Sequence, residues 1–118
     1  VVEPSAVMGL GCQVFAKAVV STNAKLGDFS IVNTGAVVEH DNEIGDFVHL
    51  SPNAATGGTV AIEPDCHLGL GAVVLPNRRV GAGTIVGAGA VVTRDLPERV
   101  VAAGVPARII RQLDDRPS

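Results

Sequence analysis

A chain of 118 residues has room for one domain with a modest core and none for a second. It is 47% hydrophobic but only 3% aromatic, with no Trp or Tyr, so its core must be assembled from many small, similar aliphatic pieces. A net charge of −3 supplies no basic field for nucleic acid, and fourteen Gly and seven Pro scattered along the chain speak for closely spaced turns and against a helical bundle.

Cys12 and Cys66 fall in no paired metal-ligand spacing, and two thiols make no disulfide framework. Both are expected as small core residues in a reducing compartment, with no metal. The start of the chain has no basic stretch leading into an apolar one, and no run of ~18 apolar residues occurs anywhere. A cytoplasmic protein without membrane association is the expectation.

The first element is a repeat that spans most of the chain. Stepping by six from Val2, through Met8, Val14, Val20 and Leu26 to Val92, lands on sixteen positions, fifteen of them apolar, without one insertion. Four residues further on, thirteen of sixteen positions are small or β-branched. A period of six suits neither an α-helix nor a long alternating strand. It suits a solenoid whose flat sides are one hexad long, three hexads closing a triangular coil with the aliphatic residues stacked inside. Residues 1–97 are read as this all-β parallel β-helix of just over five coils, and 98–118 as a C-terminal extended segment with a short helix or tail: Val100 to Ala107 running back along the helix, Arg108 to Asp115 as the short helix, and a frayed tail from Arg116.

Eighteen residues per coil turns the sequence into columns about 4.8 Å apart along the axis. His40 then stands one coil from Gly58, in the column Pro4, Thr22, His40, Gly58, Pro76, Arg94. Two hexads break the pattern beside this pair: Asn42 replaces a small residue, and Thr56 interrupts the aliphatic column. Departures from an otherwise consistent pattern gather at functional sites. An imidazole beside Asp41 or Glu39 can serve as general base, because a neighbouring acid sets its tautomer and stabilises the imidazolium. A glycine amide one coil away can donate to a developing oxyanion. His49 lies half a coil from His40, so a single chain does not readily bring both to one ligand. A symmetric oligomer can. His67, stacked on His49, is read as an ordinary surface residue.

In chain order, Ile31-Val32-Asn33-Thr34, Val38-Glu39-His40-Asp41, Ile44-Gly45-Asp46-Phe47-Val48-His49, Leu75-Pro76-Asn77 and Gly104-Val105-Pro106-Ala107-Arg108 resemble the hexapeptide-repeat acetyltransferases of the sialic acid O-acetyltransferase and bacillosamine-type sugar N-acetyltransferase family. The resemblance implies a left-handed helix, a handedness that periodicity cannot supply. It further implies a homotrimer that binds acetyl-CoA between subunits and acetylates an amine or hydroxyl of a sugar or nucleotide sugar. Carried over, His40 is the base, Asp41 its acidic neighbour and Asn33 an active-site asparagine. On the cofactor side stand His49 near the acetyl group, Gly58 at the thioester carbonyl, and Leu70 and Ala88 along the pantetheine arm. The family's N-terminal sugar-nucleotide domain is expected to be absent, since the sequence starts where the helix does.

Two other functions fit a solenoid. One is a non-catalytic trimerisation scaffold, which would not bind acetyl-CoA. The other is a metalloenzyme of the γ-carbonic anhydrase type, using three histidines at an interface. The spacings of His40, His49 and His67 lack the close histidine pair of that family.

Overall fold

In a computed structural model, which describes residues 1–113, the chain is a parallel β-solenoid. Two-residue strands recur every six residues: β1 (Val7–Met8), β2 (Gln13–Val14), β3 (Val19–Val20), β4 (Lys25–Leu26), β5 (Ile31–Val32), β6 (Val37–Val38), β7 (Glu43–Ile44), β8 (His49–Leu50), β9 (Ala55–Thr56), β10 (Ala61–Ile62), β11 (His67–Leu68), β12 (Val73–Val74), β13 (Arg79–Val80), β14 (Ile85–Val86) and β15 (Val91–Val92). Two longer strands follow, β16 (Val100–Ala103) and β17 (Arg108–Gln112). Three walls result: β3-β6-β9-β12-β15 (wall A), β1-β4-β7-β10-β13 (wall B) and β2-β5-β8-β11-β14-β16-β17 (wall C). Among β1 to β15 the register is eighteen residues, as in Ile31↔His49 and His49↔His67, and it shortens to sixteen where β14 meets β16, Ile85↔Val101. This is the architecture expected of the hexapeptide-repeat helix.

The corners explain the six-residue period. At every sixth position from Gly11 to Gly89 the backbone is left-handed, with φ between 55° and 70°. Glycine holds five of these positions and asparagine three, the residues for which that region costs least. Inside, each hexad contributes one aliphatic side chain, such as Leu26, Val32, Leu50, Ile62 and Leu68, all at most 3% exposed. The bore takes nothing larger: all three phenylalanines are outside. Phe29 and Phe47 stack on each other at a corner, ring centroids 5.5 Å apart.

The column of small residues has its own use. Three of its donors reach the carbonyl fifteen residues on: Cys12 to Gly27 (3.1 Å), Ser30 to Gly45 (2.7 Å) and Cys66 to Gly81 (3.0 Å). Both cysteines are therefore structural donors at the core, and burial pushes the Cys66 thiol up to about 11.

The C-terminal segment departs from expectation. Val100–Ala103 does not run back along the helix but continues wall C forward, parallel to β14. Arg108–Gln112 is a strand antiparallel to β16, not part of a short helix. Leaving β14 as the last strand of wall C would strand its backbone groups, and the β-branched Val100, Val101, Ile109 and Ile110 suit strands that cover it. The expected helix end at Asp115 and the tail from Arg116 lie outside the described residues.

Candidate active site

His40 sits on the corner between walls A and B, in the turn between β6 and β7. Asp41 follows it in the left-handed corner conformation (φ 57°), and its Oδ2 lies 3.0 Å from His40 Nδ1. A carboxylate only accepts, so Nδ1 carries the proton, and in the neutral ring Nε2 is left with its lone pair. Asp41, not Glu39, is the acidic partner.

Nε2 faces Gly58 in the next coil. A Cβ built on Gly58 would land on the His40 ring, against Nε2 and Cε1. Only glycine lets the imidazole lie against this backbone. Of the amides in the Thr56–Thr59 turn, Gly57 N donates to Val74 O (2.8 Å) and Thr59 N to His40 O (3.0 Å). The Gly58 N–H donates to no group among the described residues. Of the amides of Gly57, Gly58 and Thr59, one is thus left unpaired, beside the imidazole.

The two pattern-breaking residues lie beneath this pair. Asn42 is fully buried and Thr56 is 3% exposed. The Thr56 hydroxyl donates to Asn42 Oδ1 and accepts from Glu39 N (3.0 Å). Asn42 Nδ2 donates to Gly57 O (2.9 Å) and His40 O (3.2 Å). Each residue stood out in the sequence; their pairing, across fourteen residues, did not.

The remaining candidates gather elsewhere. Asn33, Leu70 and Ala88 lie at the corner between walls C and A, and His49 on the outer face of wall C. Asn33 Nδ2 lies 3.4 Å from His49 Nε2, while Asn33 Oδ1 accepts from Thr34 N (2.7 Å). His49 and His67 meet edge to face at 4.8 Å, and His67 Nε2 lies 3.2 Å from Ser51 Oγ. Leu70 is exposed, and its carbonyl accepts from Gly89 N (2.7 Å). Wall A thus separates two groups: His40, Asp41 and Gly58 at one edge, Asn33, Leu70 and Ala88 at the other. Among the described residues no three His, Cys, Asp or Glu side chains converge within the chain as metal ligands. A groove of about 480 Å³ on wall B is lined by charged side chains, including the Arg79–Glu63 pair at 2.9 Å, and does not touch His40.

Burial first, and His67 second, hold the His49 imidazole below its ordinary 6.5. The unfolded chain then binds this proton more readily than the folded one, so stability rises with pH across that interval. The contribution is complete above 6.5 and is lost as pH falls toward the lowered value. His49→Gln should accordingly lose less melting temperature than the unaltered chain between about pH 7 and 5, at fixed protein concentration. Parallel losses in the two proteins would contradict this.

No family model matches the chain. Among solved structures, a histidine-to-asparagine variant of perosamine N-acetyltransferase from Caulobacter crescentus, in complex with CoA and GDP-perosamine, is 46% identical with a TM-score of 0.93. That match covers 95% of this chain and 53% of that one. The acetyltransferase domain of PglB from Neisseria gonorrhoeae, in complex with acetyl coenzyme A, is 43% identical with a TM-score of 0.92, over 92% and 53%. A curated relative, the 2,3,4,5-tetrahydropyridine-2,6-dicarboxylate N-acetyltransferase of Enterococcus faecalis, is 49% identical over 65 residues, which is 55% of this chain and 27% of that protein. The chain spans about half the length of the matched structures and less of the curated relative. In sequence and in fold, then, this β-solenoid is similar over nearly its whole length to part of perosamine N-acetyltransferase and to the acetyltransferase domain of PglB, in line with the resemblance its ordered motifs carry.

Proposed function

We propose that the chain is the catalytic β-helix of an acetyl-CoA-dependent sugar acetyltransferase, with His40 as general base. One observation carries the reading: an imidazole oriented by Asp41 through Nδ1 presents Nε2 to a glycine whose amide is free. His40 Nε2 takes a proton from the acceptor as its nitrogen or oxygen attacks the thioester carbonyl. The Gly58 N–H donates to the tetrahedral oxyanion. As that intermediate collapses, the carbon–sulfur bond breaks, and the imidazolium returns its proton to the departing coenzyme A. An amino group on a nucleotide-linked sugar is the favoured acceptor, since GDP-perosamine and CoA occupy a relative 46% identical to this chain.

The site is shared between subunits of a homotrimer. The division of candidate residues between two edges of wall A supports this, because packing one prism against the next can bring His40 of one chain to Asn33 and His49 of its neighbour. Leu70 and Ala88 flank the same interface along the acetyl-CoA arm.

Thiol release from acetyl-CoA, screened against amino sugars, nucleotide-linked amino sugars and sialic acids, tests the activity. Turnover is expected with a nucleotide-linked amino sugar; failure to bind acetyl-CoA would leave the scaffold reading. His40→Ala and Asn33→Ala chains, each inactive alone, should recover activity when co-refolded in equal amounts, about a quarter of the sites drawing intact halves from different chains. No recovery would refute the shared site.

A further inference from the structure

Asn42 and Thr56 occupy positions where a prism of this kind needs only an alanine and a valine. Every other position of the Thr56 column is apolar, and most of the Asn42 column is Ala, Cys, Ser, Val or Thr. A buried polar pair here does nothing for the core that two apolar residues would not do, since it gains about as much as its desolvation costs. What it does do is hold backbone on either side of the His40–Gly58 contact. We propose that Asn42 and Thr56 are positioning residues, which fix from inside the prism the turn carrying His40 and the peptide carrying the Gly58 N–H. This rests on the reading of His40 and Gly58 as the acetyl-transfer pair.

The peptide plane gives the argument its direction. Gly57 C=O and Gly58 N–H belong to one trans peptide, so they point to opposite sides. Asn42 Nδ2, fully buried, holds the Gly57 carbonyl at 2.9 Å. With the carbonyl drawn inward, the Gly58 N–H is turned outward, toward the side on which the imidazole lies. A hydrogen bond to the carbonyl also polarises the same peptide and sharpens its N–H as a donor. The geometry repeats the contact from Ser30 to Gly45 and from Cys66 to Gly81, but only here does the anchored peptide face a histidine in the adjoining coil.

The second half of the clamp acts on His40. Its carbonyl accepts from both Asn42 Nδ2 (3.2 Å) and Thr59 N (3.0 Å). The amide of the preceding Glu39 donates to Thr56 Oγ1 (3.0 Å), whose own proton goes to Asn42 Oδ1. One connected network therefore spans residues 39, 40 and 57, on both coils, and both side chains are buried. Asn42 and Thr56 touch no reacting atom; they act through the backbone of residues that do.

The test uses the full chain with two variants. The double variant Asn42→Ala/Thr56→Val restores the apolar pattern of the neighbouring coils and strands no side-chain partner. Asn42→Ser keeps a donor for Gly57 O, as Ser30 provides for Gly45. In the double variant the Gly58 amide and His40 ring resonances should move in NMR spectra, while the amide resonance of Gly9, at the far end of the stack, stays. With acetyl-CoA and GDP-perosamine as probes, kcat should fall ~10–100-fold at unchanged KM for acetyl-CoA. Asn42→Ser should recover most of that loss. Unmoved resonances and unchanged kcat in the folded double variant would overturn the proposal, as would equal movement of the Gly9 amide signal, which marks general loosening. The unsubstituted chain and His40→Ala are run alongside. If they turn over equally, it is the acetyl-transfer reading that fails, and the resonances alone then decide whether the clamp holds the two backbones.

Discussion

His40→Ala is expected to lower kcat by ~10²–10⁴-fold, the range spanned by a positioned general base. Binding of acetyl-CoA should be nearly intact, because the half-exposed imidazole is assigned to the acceptor's proton, and the cofactor arm to other groups, Leu70 and Ala88. The fold should be undisturbed for the same reason, since an exposed corner side chain moves stability by about 0.5 kcal/mol or less. Asp41→Asn should act on the same step to a smaller degree. An amide can still accept from Nδ1, but it neither carries the charge that stabilises the imidazolium nor holds one tautomer as firmly. Steady-state thiol release read beside calorimetric titration of acetyl-CoA separates the two effects. An unchanged kcat for His40→Ala removes the histidine from the chemistry whatever the geometry suggests.

Leu50→Ala is expected to be the most damaging change to the fold, costing about 2–5 kcal/mol. Leu50 is fully buried in a central coil, and its strand pairs with those of Val32 below and Leu68 above. In a solenoid each coil is stabilised only through its two neighbours, so a void in the middle weakens both contacts at once. Met8, at the same hexad phase but 36% exposed in the first coils, marks the contrast: Met8→Ala should cost about 1 kcal/mol or less, because little of its surface leaves water on folding. Thermal melts of the two variants at equal concentration check the ordering, and equal losses would show that burial in the bore is not what holds the coils. Leu50 also follows His49 directly, so the same cavity is expected to disturb the imidazole that meets Asn33.

The placement of His40 against Gly58 could be read from residue numbers, and the reason is mechanical. Each wall consumes six residues and no insertion interrupts Val2 to Val92, so neighbours in space follow from adding eighteen. The same arithmetic put His49 on His67 and sent His40 and His49 to different walls. It fails where the period ends. Beyond Leu96 nothing in the spacing states that Val100–Ala103 goes forward as another strand of wall C, and the strand at Arg108–Gln112 forms because an open sheet edge, a property of the whole stack, needs covering.

What the sequence determined by itself is therefore the winding, the columns and the list of residues that break them. The tertiary structure decided how those residues pair. Glu39 and Asp41 flank the histidine equally in the chain, but the left-handed corner at residue 41 turns only one carboxylate back onto Nδ1. Asn42 and Thr56 are each legible as exceptions, yet their hydrogen bond crosses from the small-residue column of one coil to the aliphatic column of the next. A repeat specifies the backbone path because every hexad votes for the same turn; the direction of a single polar side chain has no such redundancy, and it is settled only by which donors and acceptors the folded prism leaves within about 3 Å.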